Sequence, residues 1–218
     1  MRLQHQWWSG LVAAVLGGLV AVTAVAAAGA QFLPVLGQRE GAARSIGIPL
    51  TNGFIDYLTL LNERDGGING VTLLWEECET VYDVDRGVEC YERLKGKGPT
   101  GAAVFPLFIT PIVNALMERA THDQIPLLAA GAARSDAADG RVFPYVFNAP
   151  NTWWSLNTAE IRFLGQRAGG MAQLKGLKMV YVYQDNETGR EKIPILDAQA
   201  AHYGFTVGGC SACPNRDR

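Results

Sequence analysis

The chain has 218 residues, and 48% of them are hydrophobic, which is enough for one or two domains with sizeable cores. Its formal net charge is −2 at pH 7, so it lacks the basic surplus of a protein that binds the phosphate backbone of nucleic acids. No histidine, cysteine and carboxylate cluster has the spacing of a metal site, so we expect neither a metal nor a cofactor.

The N-terminus has the layout of a secretory signal peptide. A single charge, Arg2, precedes a long apolar run from Leu11 to Ala28, and small residues then lead to Ala28-Gly29-Ala30. This tripeptide resembles an A-x-A cleavage site, so we predict that residues 1–30 are removed and that the mature chain is exported. The alternative is an uncleaved membrane anchor, because the apolar run is about as long as a short spanning helix.

Strand-like and helix-like segments alternate along the next part of the chain. Apolar runs predict five strands, and apolar residues at helical spacing between them predict helices. The first helix should be capped by Thr51 or Asn52, after a loop over residues 37–47. This alternation favours an α/β fold, in which a parallel sheet carries helices on both faces. The five runs are residues 31–36, 71–75, 102–107, 125–129 and 142–147.

A second α/β segment follows Pro150. Thr152 can cap a helix, and the apolar run Leu177–Tyr183 predicts a strong strand. Residues 189–201 predict another helix, and Phe205 lies in a further short strand.

The pattern divides the chain into four parts. After the signal peptide, residues 31–148 form a complete first lobe and residues 149–207 form the start of a second lobe. Apolar periodicity then stops, so we expect residues 208–218 to form an irregular tail. Two lobes with a cleft between them would make a ligand clamp, and the chain supplies about one and a half lobes.

The four cysteines fall into two pairs. Outside the cytoplasm Cys78 and Cys90 can form a disulfide that pins the second helix to the edge of the sheet. Cys210 and Cys213 form a C-x-x-C motif. A thioredoxin-like motif needs a helix after it, but here Pro214 and a short charged segment follow. We therefore expect a structural disulfide and no redox chemistry.

A glycine motif between the second helix and the third strand is a false signal. Residues 96–101 match G-x-G-x-x-G, but the dinucleotide fingerprint must follow a strand and open a helix. Here the glycines follow a helix and open a strand, so they form a connector and bind no nucleotide.

The loop after the third strand is the first candidate for a binding site. Thr110 is placed as the N-cap of the third helix and Pro111 as its first residue. Ligands of open α/β sheets bind outside the carboxyl ends of the strands, and carboxylates suit helix N-termini. The alternative is that Thr110 caps only its own helix.

The loop after the fourth strand ends at the same edge of the sheet. Ala132 and Ala133 are small enough to let a ligand approach the backbone closely. Arg134 either pairs with an anionic group or is a solvated surface charge. Trp153 and Trp154 follow the crossover into the second lobe, where one covers the cleft and the other packs in the core, or both pack in the core.

The chain resembles the type I periplasmic binding proteins, specifically the branched-chain-amino-acid-type substrate-binding proteins of ABC transporters. The helix-end turn Gly66-Gly67-Ile68-Asn69-Gly70 is a fairly specific mark of this family. The likeness runs from about Gln31 to Val207. The other stretches that carry it are residues 52–58, 62–65, 76–79, 125–128, 139–143 and 183–189.

The resemblance implies a periplasmic, hinge-closing protein that binds a small amino-acid-like or amide ligand without catalysis and passes it to a permease. It implies neither nucleic-acid binding nor membrane insertion after signal cleavage. The family holds its ligand with two loops of the first lobe, which correspond here to Phe108, Ile109 and Thr110, and to Ala132 and Ala133. We also expect Arg134, Trp154 and Thr188 to contact the ligand.

Two substitutions depart from the family pattern. Thr188 stands where an aromatic residue often precedes a glycine, and Ile109 replaces a hydroxyl-bearing residue. We therefore expect the substrate to be an amide, an aromatic acid or another small polar molecule rather than leucine. The resemblance also implies further strand–helix units and an acidic ligand-binding residue in the second lobe, so we expect a truncated product.

Two other classes of function remain open from the sequence. The same fold serves sensory ligand-binding modules, which a following transmembrane helix and signalling domain would indicate. A flavodoxin-like enzyme would need a titratable pair at the cleft, and the sequence offers none.

Overall fold

Strands and helices alternate through the computed structural model, which describes residues 29–41, 43–131 and 134–211. Nearly all of the predicted signal peptide therefore lies outside the described residues, as do Ala132, Ala133 and Cys213. The α-helices described are α1 (Arg44–Asp65), α2 (Val84–Leu94), α3 (Thr110–Asp123), α4 (Trp153–Arg167), α5 (Glu187–Arg190) and α6 (Ile193–Tyr203). The strands are β1 (Ala30–Gly37), β2 (Thr72–Glu79), β3 (Phe105–Leu107), β4 (Leu127–Ala129), β5 (Val146–Asn148), β6 (Lys178–Tyr183) and β7 (Thr206–Ser211).

The strands pair in parallel, as the alternating pattern predicted. β1 pairs with β2, and β4 lies between β3 and β5. A bridge between Phe32 and Ala102 joins the two groups, and the Ala103 N–H donates to the Phe32 carbonyl oxygen at 2.9 Å. The resulting strand order, β2-β1-β3-β4-β5, confirms the α/β fold with a parallel sheet.

Two separate apolar cores lie along the chain. The first core lies in the α/β unit made of β1–β5 and α1–α3, between the sheet and helices α2 and α3, with Tyr91, Phe105 and Leu116 fully buried. The second core, around Leu174 and Phe205, fills the unit made of α4–α6 with β6 and β7. We call these the first unit and the second unit. Among the described residues, no helix is both long and apolar enough to cross a membrane.

The first helix begins earlier than the sequence predicted. The loop expected over residues 37–47 is short, because α1 starts at Arg44 and contains Pro49 in its interior. Gly47 makes this start possible: a Cβ there would lie 1.9 Å from the carbonyl oxygen of Gln38. Only glycine lets the helix come this close to the end of β1, so the expected cap at Thr51 or Asn52 is wrong.

The last strand extends further than the apolar pattern indicated. Residues 208–211 were expected in an irregular tail, but β7 continues through Ser211 and pairs in parallel with β6. The ladder depends on backbone N–H and C=O groups, so it needs no apolar side chains at these positions. The rest of the tail lies outside the described residues.

The predicted disulfide is present. Cys78 and Cys90 are bonded, with their Cα atoms 5.8 Å apart. Cys78 lies within β2 rather than after it, because that strand runs to Glu79. The bridge therefore fastens α2 directly to a strand of the sheet, with both sulfur-bearing residues buried in the first core.

A polar network links α2 to the end of α3. The Lys95 Nζ lies 2.7 Å from Asp123 Oδ2, and the Tyr91 hydroxyl donates to the same oxygen at 3.0 Å. The hydrogen bond from Lys95 lowers the pKa of Asp123 from 3.8 to about 2, and bonds from His122 and Tyr91 act in the same direction. Burial and the Asp123 contact raise the pKa of Tyr91.

We predict that replacing both Cys78 and Cys90 by alanine lowers the free energy of unfolding by about 2–3 kcal/mol, because the disulfide limits the freedom of the unfolded chain. Urea denaturation under oxidising conditions measures the difference. Wild-type protein treated with a reductant is the matched control and should lose a similar amount. Equal stability of the oxidised and reduced wild type would contradict the prediction.

We predict that Asp123→Asn lowers the free energy of unfolding by about 1–2 kcal/mol near pH 7. The pKa of Asp123 is lower in the folded state, so its contribution is present above pH 4 and is lost as the pH falls toward 2. The difference between variant and wild type should shrink over that range in denaturation curves. Asp197→Asn, at an exposed helical position, is the control; a pH-independent difference for Asp123→Asn would refute the assignment.

Candidate functional site

The loops after β3 and β4 meet at the carboxyl edge of the sheet. The Ala130 N–H donates to the Leu107 carbonyl oxygen at 2.9 Å, which holds the ends of the two strands together. One residue further along, a Cβ on Gly131 would lie 3.4 Å from the carbonyl oxygen of Phe108. Parallel strands place their following loops on one edge, and this is the edge where open α/β sheets bind ligands.

The start of α3 differs from the prediction in one respect. Thr110 is the first helical residue rather than the N-cap, and the N-cap is Ile109. The Ile109 carbonyl oxygen accepts the N–H groups of Ile112 and Val113 at 3.0 Å each. The backbone therefore begins the helix without a side-chain cap.

The three residues of this loop lie in different surroundings. The Ile109 side chain is 2% exposed and belongs to the first core, so it packs inward instead of facing a cleft. Thr110 is buried at the start of α3, and Phe108 is half-buried. Packing in the first core therefore explains the apolar residue at position 109. The sequence alone could not distinguish this role from contact with a ligand.

Arg134 forms an ion pair within its own loop. Its Nε donates to Asp136 Oδ1 at 3.0 Å, and its Nη2 contacts the second oxygen of the same carboxylate. The hydrogen bond to Asp136 raises the pKa of Arg134. This bidentate pair uses Nε and Nη2 of the guanidinium, and both partners are partly exposed to solvent.

The second unit contacts this loop through Glu191 and Trp154. Glu191 Oε1 accepts a hydrogen bond from the backbone N–H of Ser135 at 2.8 Å, and the backbone N–H of Trp154 donates to the Ser135 hydroxyl at 3.2 Å. The Trp154 indole N–H donates to the Glu191 carbonyl oxygen at 2.9 Å. These bonds place the first turn of α4 and Glu191, the residue directly after α5, against the loop that follows β4.

The two tryptophans have different surroundings. Trp154 is 42% exposed and borders the contact between the units. Trp153 is half-buried, with the Lys192 Nζ 5.2 Å from its ring centroid. Its indole nitrogen is buried and has no hydrogen-bond partner among the described residues.

Thr152 caps α4 as predicted, and it forms a reciprocal capping box with Ser155.

A second contact between the units lies between α3 and α5. Asn114 Nδ2 donates to Glu187 Oε2 at 3.4 Å, and Thr188, next to Glu187, is half-buried. Asn114 lies four residues after Thr110, so both are on one face of α3. The spacing was visible in the sequence, but nothing there indicated that α5 would pack on this face.

A hollow lies between the units where the loop after β4 meets the start of α4 and the start of α6. Its volume is ≈ 460 Å³, within the range of small-molecule sites. Residues from both units line it: Arg134, Ser135, Asp136, Trp154, Glu191 and Pro194. Sequence analysis named Arg134 and Trp154 among these and missed Ser135 and Glu191, whose roles depend on the contact between the two units.

Comparison with known proteins identifies the family. Residues 30–214 match the family model for periplasmic binding proteins. No curated protein sequence matches the chain.

Solved structures resemble the chain over most of its length. One described as an ABC transporter permease from the Pseudomonas fluorescens group is 41% identical, with a TM-score of 0.76; the match covers 84% of this chain and 44% of that one. A branched-chain amino acid ABC transporter protein from Thermus thermophilus, with bound valine, is 18% identical with a TM-score of 0.70. That match covers 84% of this chain and 45% of the other.

A third match is a solute-binding protein from R. palustris in complex with 4-hydroxybenzoate, 17% identical with a TM-score of 0.63. It covers 84% of this chain and 46% of that one, so the chain spans less than half the length of these three structures. At such identities the second and third likenesses show the fold alone. The family match and the fold together show that the chain belongs to the periplasmic binding protein family, of type I.

Proposed function

We propose that the chain is part of an extracytoplasmic solute-binding protein of an ABC transporter, which binds a small ligand between its two units and presents it to a permease. The observation that carries the proposal is the hollow at the carboxyl edge, which residues of both units line. A ligand that contacts both units can hold them together, which is the hinge closure such binders use. In this proposal residues 31–148 and 149–207 act as the two lobes, and residues 1–30 direct export.

The ligand is, in this proposal, a small amino-acid-like or amide molecule. Valine and 4-hydroxybenzoate are bound in two structures with this fold, and both are compact molecules with polar groups at one end or both. The candidate contacts of the first lobe are Phe108, Thr110 and the backbone near Ala132 and Ala133. Those of the second lobe are Trp154 and Thr188.

A thermal-shift screen followed by calorimetry tests this function. The panel contains aliphatic amino acids, small amides, hydroxybenzoates and a medium-chain fatty acid. Ligands that bind only the folded state raise its melting temperature, so we expect at least one of the first three groups to do so. Failure of the whole panel to bind at millimolar concentration, with the chain folded by circular dichroism, would refute the proposal.

We predict that Thr110→Val weakens the binding of a ligand found in this screen by about 1–2 kcal/mol, because the ligand loses a hydrogen bond to the hydroxyl. Isothermal titration calorimetry measures the change. Thr121→Val is the matched control, since this hydroxyl donates to the Met117 carbonyl oxygen on the same helix at 2.9 Å. Unchanged affinity in Thr110→Val would remove Thr110 from the site.

We predict that Trp154→Phe lowers the free energy of unfolding by about 1 kcal/mol, because it leaves the Glu191 carbonyl oxygen without its indole donor. Trp153→Phe makes the same change in size but removes an N–H that has no partner among the described residues. It should therefore cost less. Urea denaturation of both variants measures the difference, and equal losses would show that the Trp154 hydrogen bond contributes nothing.

A further inference from the structure

The charged groups that line the hollow between the units do not balance. Asp136 and Glu191 each bring a carboxylate, and Arg134 brings the one cation among the described residues that line it. The Arg134 Nε donates to Asp136 Oδ1 at 3.0 Å, so these two opposite charges largely offset each other. Glu191 therefore sets the sign of the charge that a solute meets in the hollow.

The second unit adds a further negative charge beside the hollow. The hydrogen bond to Asp136 is the main cause that raises the pKa of Arg134, and the charges of Glu191 and Glu187 raise it as well. Coulomb attraction weakens with distance, so both carboxylates lie near the guanidinium. Glu187 is one helical turn before Glu191, whose N–H donates to the Glu187 carbonyl oxygen at 3.0 Å.

The cations on either side of Glu191 contact other carboxylates. The Arg190 Nε donates to Asp185 Oδ1 at 2.8 Å. The Lys192 Nζ lies 2.9 Å from Glu160 Oε1. Each of these two positive charges is offset by its own partner, so neither of them neutralises Glu191.

Glu191 is held in place with one carboxylate oxygen left for a solute. Its Oε1 accepts a hydrogen bond from the backbone N–H of Ser135 at 2.8 Å, and its Oε2 has no hydrogen-bond partner within the described part of the chain. The residue is half-buried, and a charge is felt more strongly there than in bulk water. A carboxylate oxygen only accepts hydrogen bonds, so it suits an N–H donor and a positively charged one best.

An aromatic ring borders the hollow beside this carboxylate. Trp154 lines the hollow and is 42% exposed. Its indole N–H donates to the Glu191 carbonyl oxygen at 2.9 Å, which holds the ring next to the residue that carries the charge. Tryptophan is the aromatic residue that attracts cations most strongly, and it also offers a large apolar surface.

We propose that the hollow binds a small organic cation, an amine with a compact apolar body, and that Glu191 selects its charge. The ammonium group contacts Glu191 Oε2, and the apolar body lies against Trp154 and Pro194. An anion of the same shape binds less tightly, because the hollow carries more negative than positive charge. This inference rests on the proposed function and narrows its ligand class to amino compounds.

Compounds of one shape and different charge test the inference on the whole chain. One series is phenethylamine, phenethyl alcohol and hydrocinnamate; the other is isoamylamine, isoamyl alcohol and isocaproate, with leucine added. Calorimetry near pH 7 should give a dissociation constant about tenfold lower for the amine than for the carboxylate in the series that fits the hollow. Added salt should reduce this difference, because ions screen the charge of Glu191.

The variant Glu191→Gln assigns the preference to this residue. Glutamine keeps an oxygen that can accept the Ser135 N–H, so the variant removes the charge and preserves the contact between the units. It should weaken binding of the amine by about fivefold to thirtyfold and leave binding of the alcohol unchanged. Asp197→Asn is the matched control, because it removes a carboxylate from an exposed position of α6 outside the lining.

The indole N–H of Trp154 reports where the amine binds. Its NMR signal is assigned by its loss in Trp154→Phe, and it should shift when the amine is added to the wild-type chain. An amine that binds without moving this signal occupies another place, which would overturn the inference.

The outcomes separate the inference from the function on which it rests. If no compound of these series or of the earlier panel binds the folded chain, the solute-binding proposal fails and the inference falls with it. If solutes bind but the amines bind no more tightly than the matching carboxylates, or if Glu191→Gln leaves the difference unchanged, only the inference is overturned. A preference that is lost in Glu191→Gln and kept in Asp197→Asn supports it.

Discussion

The parallel pairing of β3 with β4 is the constraint on which the site depends. The bond from the Ala130 N–H to the Leu107 carbonyl oxygen aligns the ends of the two strands, so the chain must leave both strands at the same edge. Phe108 and Gly131 are thereby brought close together although more than twenty residues separate them. Core packing of Ile109 then fixes the start of α3 at that edge.

One short segment of the second unit, residues 187–191, contacts two parts of the first unit. Residues Glu187 and Glu191 lie one turn apart, and the first contacts α3 while the second contacts the loop after β4. Tyr181 steadies this segment through a hydrogen bond from its hydroxyl to the Gly189 carbonyl oxygen at 2.9 Å. A single turn of the chain therefore contacts both α3 and the loop after β4.

Sequence reasoning recovered the parts of the molecule that depend on local patterns. The order of strands and helices, the cap at Thr152 and the disulfide were all predictable, because periodicity, capping chemistry and cysteine spacing are local. The start of α1 was missed because it depends on Gly47 fitting against Gln38, which is a tertiary contact. For the same reason the lining of the hollow was anticipated only in part: Arg134 and Trp154 were named from the sequence, but Ser135 and Glu191 become relevant only once the units touch.

The Cys78–Cys90 bridge has a consequence for the fidelity of oxidative folding. Four cysteines permit three complete pairings, so an unfolded chain could trap the wrong partners. The native pair is separated by 12 residues, while either of these cysteines is roughly ten times further along the chain from Cys210 or Cys213. Loop-closure entropy disfavours those long-range pairs by about 2 kcal/mol. The short separation therefore lets chain statistics select the correct thiols before any tertiary structure has formed.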